Sequence, residues 1–242
     1  MLKKIFKKIY KELYILHNLY YQNNIFLKRN YYSHHKEDIF VLKCFNYKKK
    51  GLFIDVGCHH PTRLNNTHLL YKHGWRGINI DMSKISIDLF NRVRSQDLNI
   101  HSAVSCKNGI INYYTNKELF LRASLIQKKG KEKFKYAKKV KSQKLDQILN
   151  KTKYKRSSID FLSIDAEGAD YEVLKSLSFK KYKPKLICVE IWKNNIKNSD
   201  IKNHKIYKFL SKKKYRFVKK LADNYFFQIK ANKKLNKFKN YV

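Results

Sequence analysis

Two short stretches hold the side chains best suited to chemistry. Residues 52–61, LFIDVGCHHP, carry Asp55, Gly57 and Cys58, followed by the imidazoles of His59 and His60. Residues 163–170, SIDAEGAD, carry Asp165 and Glu167. A carboxylate can accept hydrogen bonds through two oxygens or take up a proton, and an imidazole with a pKa of about 6.5 can take a proton near neutral pH. A third carboxylate, Asp81 in GINID, follows Asp55 by 26 residues and also stands at what reads as a strand end. There it could accept hydrogen bonds from both vicinal hydroxyls of a ribose. The loop after Asp55 has one glycine where a dinucleotide fingerprint needs three, and no Walker A loop is present. Asp55, Gly57 and Asp81 therefore suit an adenosine-containing cofactor that carries no pyrophosphate. S-adenosylmethionine fits that description, and its sulfonium and ammonium groups suit acidic neighbours.

These loops need a sheet to bring them together. Residues 51–57, 75–82, 99–105, 158–165 and 185–192 read as five core strands, with 109–115 as a short extra one. Helices are expected at 37–47, at 62–74 with Asn65, Asn66 and Thr67 near its start, and at 83–94 with Ser83 as N-cap. Three more are expected at 144–150, 168–177 and 204–215, before closing strands at 216–221 and 224–230. This alternation argues for a parallel sheet covered on both faces, with ligands beyond the carboxyl ends of the strands where strand order reverses. The loops after the first and fourth strands would then converge. One brings His59 and His60, the other Asp165 and Glu167. Any of these could remove a proton from an acceptor hydroxyl, although a loop histidine can equally cap a turn and an acid can start a helix. Glu190, at the end of the fifth strand, is a further candidate. No tight ligand spacing demands a metal, and none is expected.

The 242 residues include 55 Lys plus Arg against 18 acids, a formal net charge of +37. Such a balance favours anionic partners. The abundance of Lys, Asn, Ile and Tyr also matches an AT-rich coding sequence. Three regions are expected: a basic helical extension over 1–48, one catalytic-sized domain over 49–230, and a basic tail over 231–242 that frays. In the extension, Leu2, Ile5, Phe6, Ile9 and Leu13 recur at three- and four-residue steps with lysines between. Such a stripe usually covers a neighbouring core, and that packing is expected; the alternative is weak contact with an anionic membrane surface. The lysine run at 128–144 reads as an exposed loop leading to a short edge strand near Val140. The four cysteines form no Cys-x-x-Cys pair, so no zinc or disulfide framework is expected. No apolar run approaches the ~20 residues of a spanning helix, and the N-terminus lacks the apolar core of a signal peptide. A cytoplasmic location is expected, peripheral at the inner membrane face if the N-terminal helix touches lipid.

Residues 53–81, FIDVGCHHPTRLNNTHLLYKHGWRGINID, and 159–177, IDFLSIDAEGADYEVLKSL, resemble the FkbM family of S-adenosylmethionine-dependent methyltransferases. The likeness covers roughly residues 50–228. It takes in SAV at 102–104, KLDQIL with Asp146, VEIW with Glu190 and ADNYFF with Asn224. The resemblance implies an α/β class I methyltransferase (Rossmann-like) fold: a mostly parallel central sheet, helices on both faces and an antiparallel C-terminal strand. It implies methyl transfer to a hydroxyl on a sugar, glycan or related small molecule. Cofactor contacts are expected at Asp55, Gly57, Cys58, Asp81, Met82, Ser102, Ala103 and Asp165. The catalytic set is expected to be Asp165, Glu167, His59 and His60. The pair His59-His60 before Pro61 stands where many members have a second glycine nearby, so substrate identity does not carry over.

Two rival classes remain in view. The charge suggests a nucleic-acid enzyme. Yet the chain has only two prolines, Pro61 and Pro184, and reads IDAEG where amino-methylating enzymes carry an Asn/Asp-Pro-Pro-aromatic loop. A Pro-Cys nucleophile is also absent, which leaves ribose methylation. The other rival is an inactive binding module on the same fold, disfavoured by the intact acids.

Overall fold

The computed structural model describes residues 2–21, 29–115, 136–192 and 201–230. The N-terminal part contains α1 (Leu2–Leu16), a π turn (His17–Tyr21) and α2 (Glu37–Cys44). There follow β1 (Leu52–Val56), α3 (His68–Lys72), β2 (Arg76–Asp81), α4 (Lys84–Val93), β3 (Leu98–His101), β4 (Ala103–Val104) and β5 (Gly109–Thr115). The second half contains β6 (Tyr136–Gln143), α5 (Leu145–Asn150), β7 (Phe161–Ile164), α6 (Asp170–Lys175), β8 (Leu186–Glu190), α7 (Lys205–Lys212), β9 (Tyr215–Leu221) and β10 (Asn224–Ile229).

The main sheet runs β3-β2-β1-β7-β8-β10-β9. Its first five strands are parallel, and β10 pairs antiparallel with both β8 and β9. Strand order reverses between β1 and β7, so their carboxyl ends open a crevice. All five residues of β1 are buried, as expected for a central strand covered on both faces. Alternate side chains serve the two layers. Ile54 and Val56 join Leu145, Leu149, Val173 and Leu210 on one face; Phe53 joins Val41, Leu42, Leu70, Phe161 and Phe226 on the other. Gly77 keeps β2 close to β1, since a Cβ there would lie 2.3 Å from the Phe53 ring.

Several elements differ from their expected extent for identifiable reasons. The third strand breaks at Ser102, whose N–H donates to the Asp81 carbonyl at 3.0 Å; β3 stays in the main sheet while β4 pairs with β6. With β5 these form a separate sheet of order β4-β6-β5. Residues 128–135 of the lysine run lie outside the described residues. Tyr136–Gln143 form the eight-residue strand β6, which is the middle strand of this small sheet and not the edge strand expected near Val140, because β4 and β5 pair with its two sides. The helix expected over 62–74 contracts to α3, because Asn65 and Thr67 turn their side chains to Asp55. Ser83 holds the N-cap position of α4 without a side-chain cap bond; Asp81 accepts its N–H instead. The tail over 231–242 lies outside the described residues, as do 22–28 of the extension.

The extension meets the domain, but through a different face from the one its pattern suggests. Ile15 and Leu19 pack on Ile85 and Leu89 of α4, whereas Leu2, Ile5, Phe6, Ile9 and Leu13 stay exposed. Among the described residues, no helix is long and apolar enough to cross a membrane.

Candidate active site

The crevice at the strand-order reversal holds a cavity of about 480 Å³, within the size range of small-molecule sites. β1 delivers Asp55, Gly57, Cys58 and His59, β2 delivers Asp81 and Met82, and the break after β3 delivers Ser102 and Ala103. β7 adds Ser163, Asp165 and Glu167, and β8 adds Glu190. Every expected cofactor residue thus lines one cleft. So do three of the four expected catalytic residues, Asp165, Glu167 and His59. His60 does not. Its ring is fully buried behind the loop, where Nδ1 accepts the N–H groups of Thr62 and Arg63, each at 3.2 Å. Burial pushes its pKa down to about 2, so it stays neutral and holds the turn.

Gly57 answers a packing demand. Its φ is +79°, and a Cβ there would sit 1.8 Å from the Asp165 carbonyl oxygen. The loops after β1 and β7 touch backbone to backbone at this point, joined by the Asp165 N–H donating to the Val56 carbonyl at 2.9 Å. Only glycine permits that approach.

Asp55 is held from behind. Its Oδ2 accepts from the Thr67 hydroxyl at 2.8 Å and the Asn65 amide at 3.2 Å. Both partners are in turn held by Arg94 Nη1, at 3.0 Å to Thr67 Oγ1 and 3.2 Å to Asn65 Oδ1. The Arg94 side chain is wholly buried and pairs with the equally buried Asp97 at 2.9 Å. Asp97 also accepts the Gly77 N–H and the Asn79 amide, which ties the network to β2. Sequence reasoning missed Arg94. Its only signal was a cation at the end of an amphipathic helix, where helix-dipole effects offer a sufficient explanation.

Asp81 organises the other wall. Oδ2 accepts the His59 N–H at 2.9 Å and Oδ1 the Ser83 N–H at 2.7 Å. These bonds hold His59 at φ 55°, a left-handed conformation rare outside glycine, and the Ser86 hydroxyl donates to its carbonyl. Burial raises the Asp81 pKa to about 6, against the pull of those backbone donors. Each carboxylate oxygen has two lone pairs, so both retain capacity for a further donor.

The β7 and β8 ends gather acids. Asp165 and Glu190 are hydrogen-bonded carboxyls, and Asp170 and Glu167 stand close by. Enclosure by protein, then Glu190, Asp170 and Glu167, raise the Asp165 pKa well above its ordinary value. The side chain itself is open to the cleft mouth, so solvent tempers that rise. Glu190 is pushed up to about 7, chiefly by burial and then by the neighbouring acids. Two carboxyls in contact share a proton more readily than both ionise. Asp170 holds the loop, accepting the N–H groups of Ala166 at 2.9 Å and Gly168 at 3.2 Å. The far wall includes Asn224, whose amide donates to the buried Glu37 at 2.9 Å, and His34 from the segment before α2. The pair His34-His35 and the acid Glu37 were the available sequence signals for that wall.

Five of the chain's 18 acids line this cleft, and none of its 55 lysines and arginines appears in the lining among the described residues. In a chain of charge +37 that segregation makes a site suited to a cation. Among the described residues no group of acids, histidines and cysteines is arranged to hold a metal ion.

A family model described as the methyltransferase FkbM domain matches residues 55–217. No curated protein matches the chain.

Proposed function

The chain belongs to the FkbM methyltransferase family, and from that premise we propose that it transfers the methyl group of S-adenosylmethionine to a hydroxyl of a sugar, glycan or related small molecule. The observation that carries the reading is the cleft at the β1/β7 switch point, lined by Asp55, Asp81, Asp165, Glu167 and Glu190 and by no cationic side chain among the described residues.

The donor set fits the cofactor. Asp81 keeps acceptor capacity for the ribose hydroxyls after binding two backbone N–H groups. Cys58, Ile80, Met82 and Ala103 offer apolar contact beside it. Asp55 places negative charge where an ammonium or sulfonium group would be stabilised. When bound, S-adenosylmethionine supplies an electrophilic methyl group on a positively charged sulfur.

A hydroxyl is a poor nucleophile, and removal of its proton during attack assists the transfer. The Asp165–Glu190 pair supplies that function in this reading. Glu190, with a pKa of about 7, is matched to proton uptake near neutral pH. His59 and Glu167 stand on the same cleft and orient the acceptor. A polyanionic substrate suits this cleft poorly, because its lining holds five acidic side chains and, among the described residues, no lysine or arginine to pair with phosphates.

The test is a methyl-transfer screen over sugar, lipid-linked sugar and RNA acceptors with labelled S-adenosylmethionine, using the wild type and Asp165→Asn. The expected result is transfer to a sugar hydroxyl, lowered by about 10²–10⁴ in the variant with cofactor affinity little changed. Full turnover in the variant would remove Asp165 from proton transfer, and transfer to RNA alone would overturn the acceptor class.

A further inference from the structure

On α1, Leu2, Ile5, Phe6, Ile9, Leu13 and Leu16 fall within about 100° of one another around the helix. This stripe points away from the protein. Leu2 is 70% exposed, Phe6 67% and Leu13 60%. The helix is nonetheless anchored through an adjoining side. Ile15 and Leu19 pack on α4, Lys11 pairs with Asp88 at 2.6 Å, and Glu12 pairs with Arg92. The usual reason for an amphipathic helix, covering its own core, is therefore not met by this face.

Charge decides between occupants. Lys3 and Lys8 flank the stripe, Lys4 and Lys7 stand on the face opposite it, and all four are exposed, while Glu12 is the only acid in α1. A second copy of this chain would bring like-charged flanks together in a molecule of formal charge +37. Nucleic acid would satisfy the lysines but leave six apolar side chains in water. A bilayer with anionic headgroups satisfies both, burying the stripe in the acyl boundary while lysines reach the headgroups. Tyr20 and Tyr21, at 66% and 76% exposure on the following turn, have the amphipathic rings that favour this interface.

We propose that α1 docks the protein on an anionic lipid surface through the stripe Leu2–Ile5–Phe6–Ile9–Leu13–Leu16. The docked helix ends beside the cleft: the Asn18 side chain accepts from Arg63 at 3.0 Å, and the adjoining Leu64 lines the cleft mouth. Lipid contact thus holds the cleft near the bilayer surface.

Vesicle flotation tests this without cofactor or acceptor, so its outcome is independent of the methyltransferase reading. The probes are phosphatidylcholine vesicles with about 30% phosphatidylglycerol, and phosphatidylcholine vesicles alone. The wild type should float with the anionic vesicles and bind the neutral ones more weakly. The double variant Phe6→Glu/Ile9→Glu alters exposed positions and should retain the wild-type unfolding temperature. It should bind anionic vesicles about 100-fold more weakly or worse, as expected from losing two buried apolar side chains. In Phe6→Trp, tryptophan emission should shift to the blue on vesicle addition. Equal binding by the double variant, or no emission shift, would reduce the contact to nonspecific charge adsorption and overturn the proposal. So would absence of vesicle binding, or a solution dimer that the double variant abolishes.

Discussion

Glu190→Gln should stabilise the folded protein at pH 8 while lowering turnover. Glu190 titrates near 7 in the folded state against an ordinary 4.5, because burial and then neighbouring carboxylates disfavour its ionised form. The folded state therefore holds this proton to higher pH than the unfolded chain does. The associated stability is fully present below about pH 4.5 and is lost as pH rises through about 7. At pH 8 the wild type bears the whole penalty, roughly 3 kcal/mol before screening. Glu190 is only half-buried, which reduces the figure to about 1–2 kcal/mol. Glutamine is neutral at every pH and relieves the strain on Asp165 as well. The variant should gain about 1–2 kcal/mol at pH 8, a rise of about 2–8 °C in Tm for a chain of this size. Near pH 5 the gain should shrink to about a quarter. Urea unfolding at both pH values, followed by circular dichroism, measures this directly. An equal gain at both would indicate improved packing, and a loss at pH 8 would show that the carboxylate is structurally needed. Either result would refute the reasoning. Turnover should fall by about 10²–10⁴ if the pair takes the acceptor proton.

Two further variants probe the supports of the site. Arg94→Met leaves Asp97 uncompensated in a wholly buried network and should cost about 3–5 kcal/mol in urea unfolding. It should also weaken S-adenosylmethionine binding through loss of the Asn65 and Thr67 contacts, measured by calorimetry in protein that remains folded. His60→Ala should cost about 1–3 kcal/mol by orphaning the Thr62 and Arg63 N–H groups, yet leave the pH–rate profile of methyl transfer unmoved.

The sheet was legible because β1, β2, β7 and β8 are apolar runs punctuated by acids and glycines, and their spacing by helices admits few topologies. The common placement of Asp55, Asp81 and Asp165 was legible for a related reason: each stands at or beside the carboxyl end of a core strand. His60 was misassigned to the cleft because sequence cannot tell which neighbour in a histidine pair turns inward. The left-handed backbone at His59, held by Asp81, sends the two rings to different places. The break at Ser102 and the contraction of α3 were hidden as well, since both follow from hydrogen bonds to residues distant in sequence. Arg94 was invisible for the same reason, its partners Asn65 and Thr67 lying far upstream. For α1, periodicity gave the stripe correctly and its direction wrongly, because a hydrophobic pattern does not say which face the rest of the chain will meet.

The central claim is that the acidic cleft holds S-adenosylmethionine through Asp81. Isothermal titration of the cofactor into the wild type and Asp81→Asn is the most direct measurement. The account predicts saturable one-site binding to the wild type. In the folded variant binding should be weaker by about 1.5–3 kcal/mol, or roughly 10–150-fold, the range for hydrogen bonds to a charged group. Absence of binding to the wild type, or equal affinity in the variant, would contradict it.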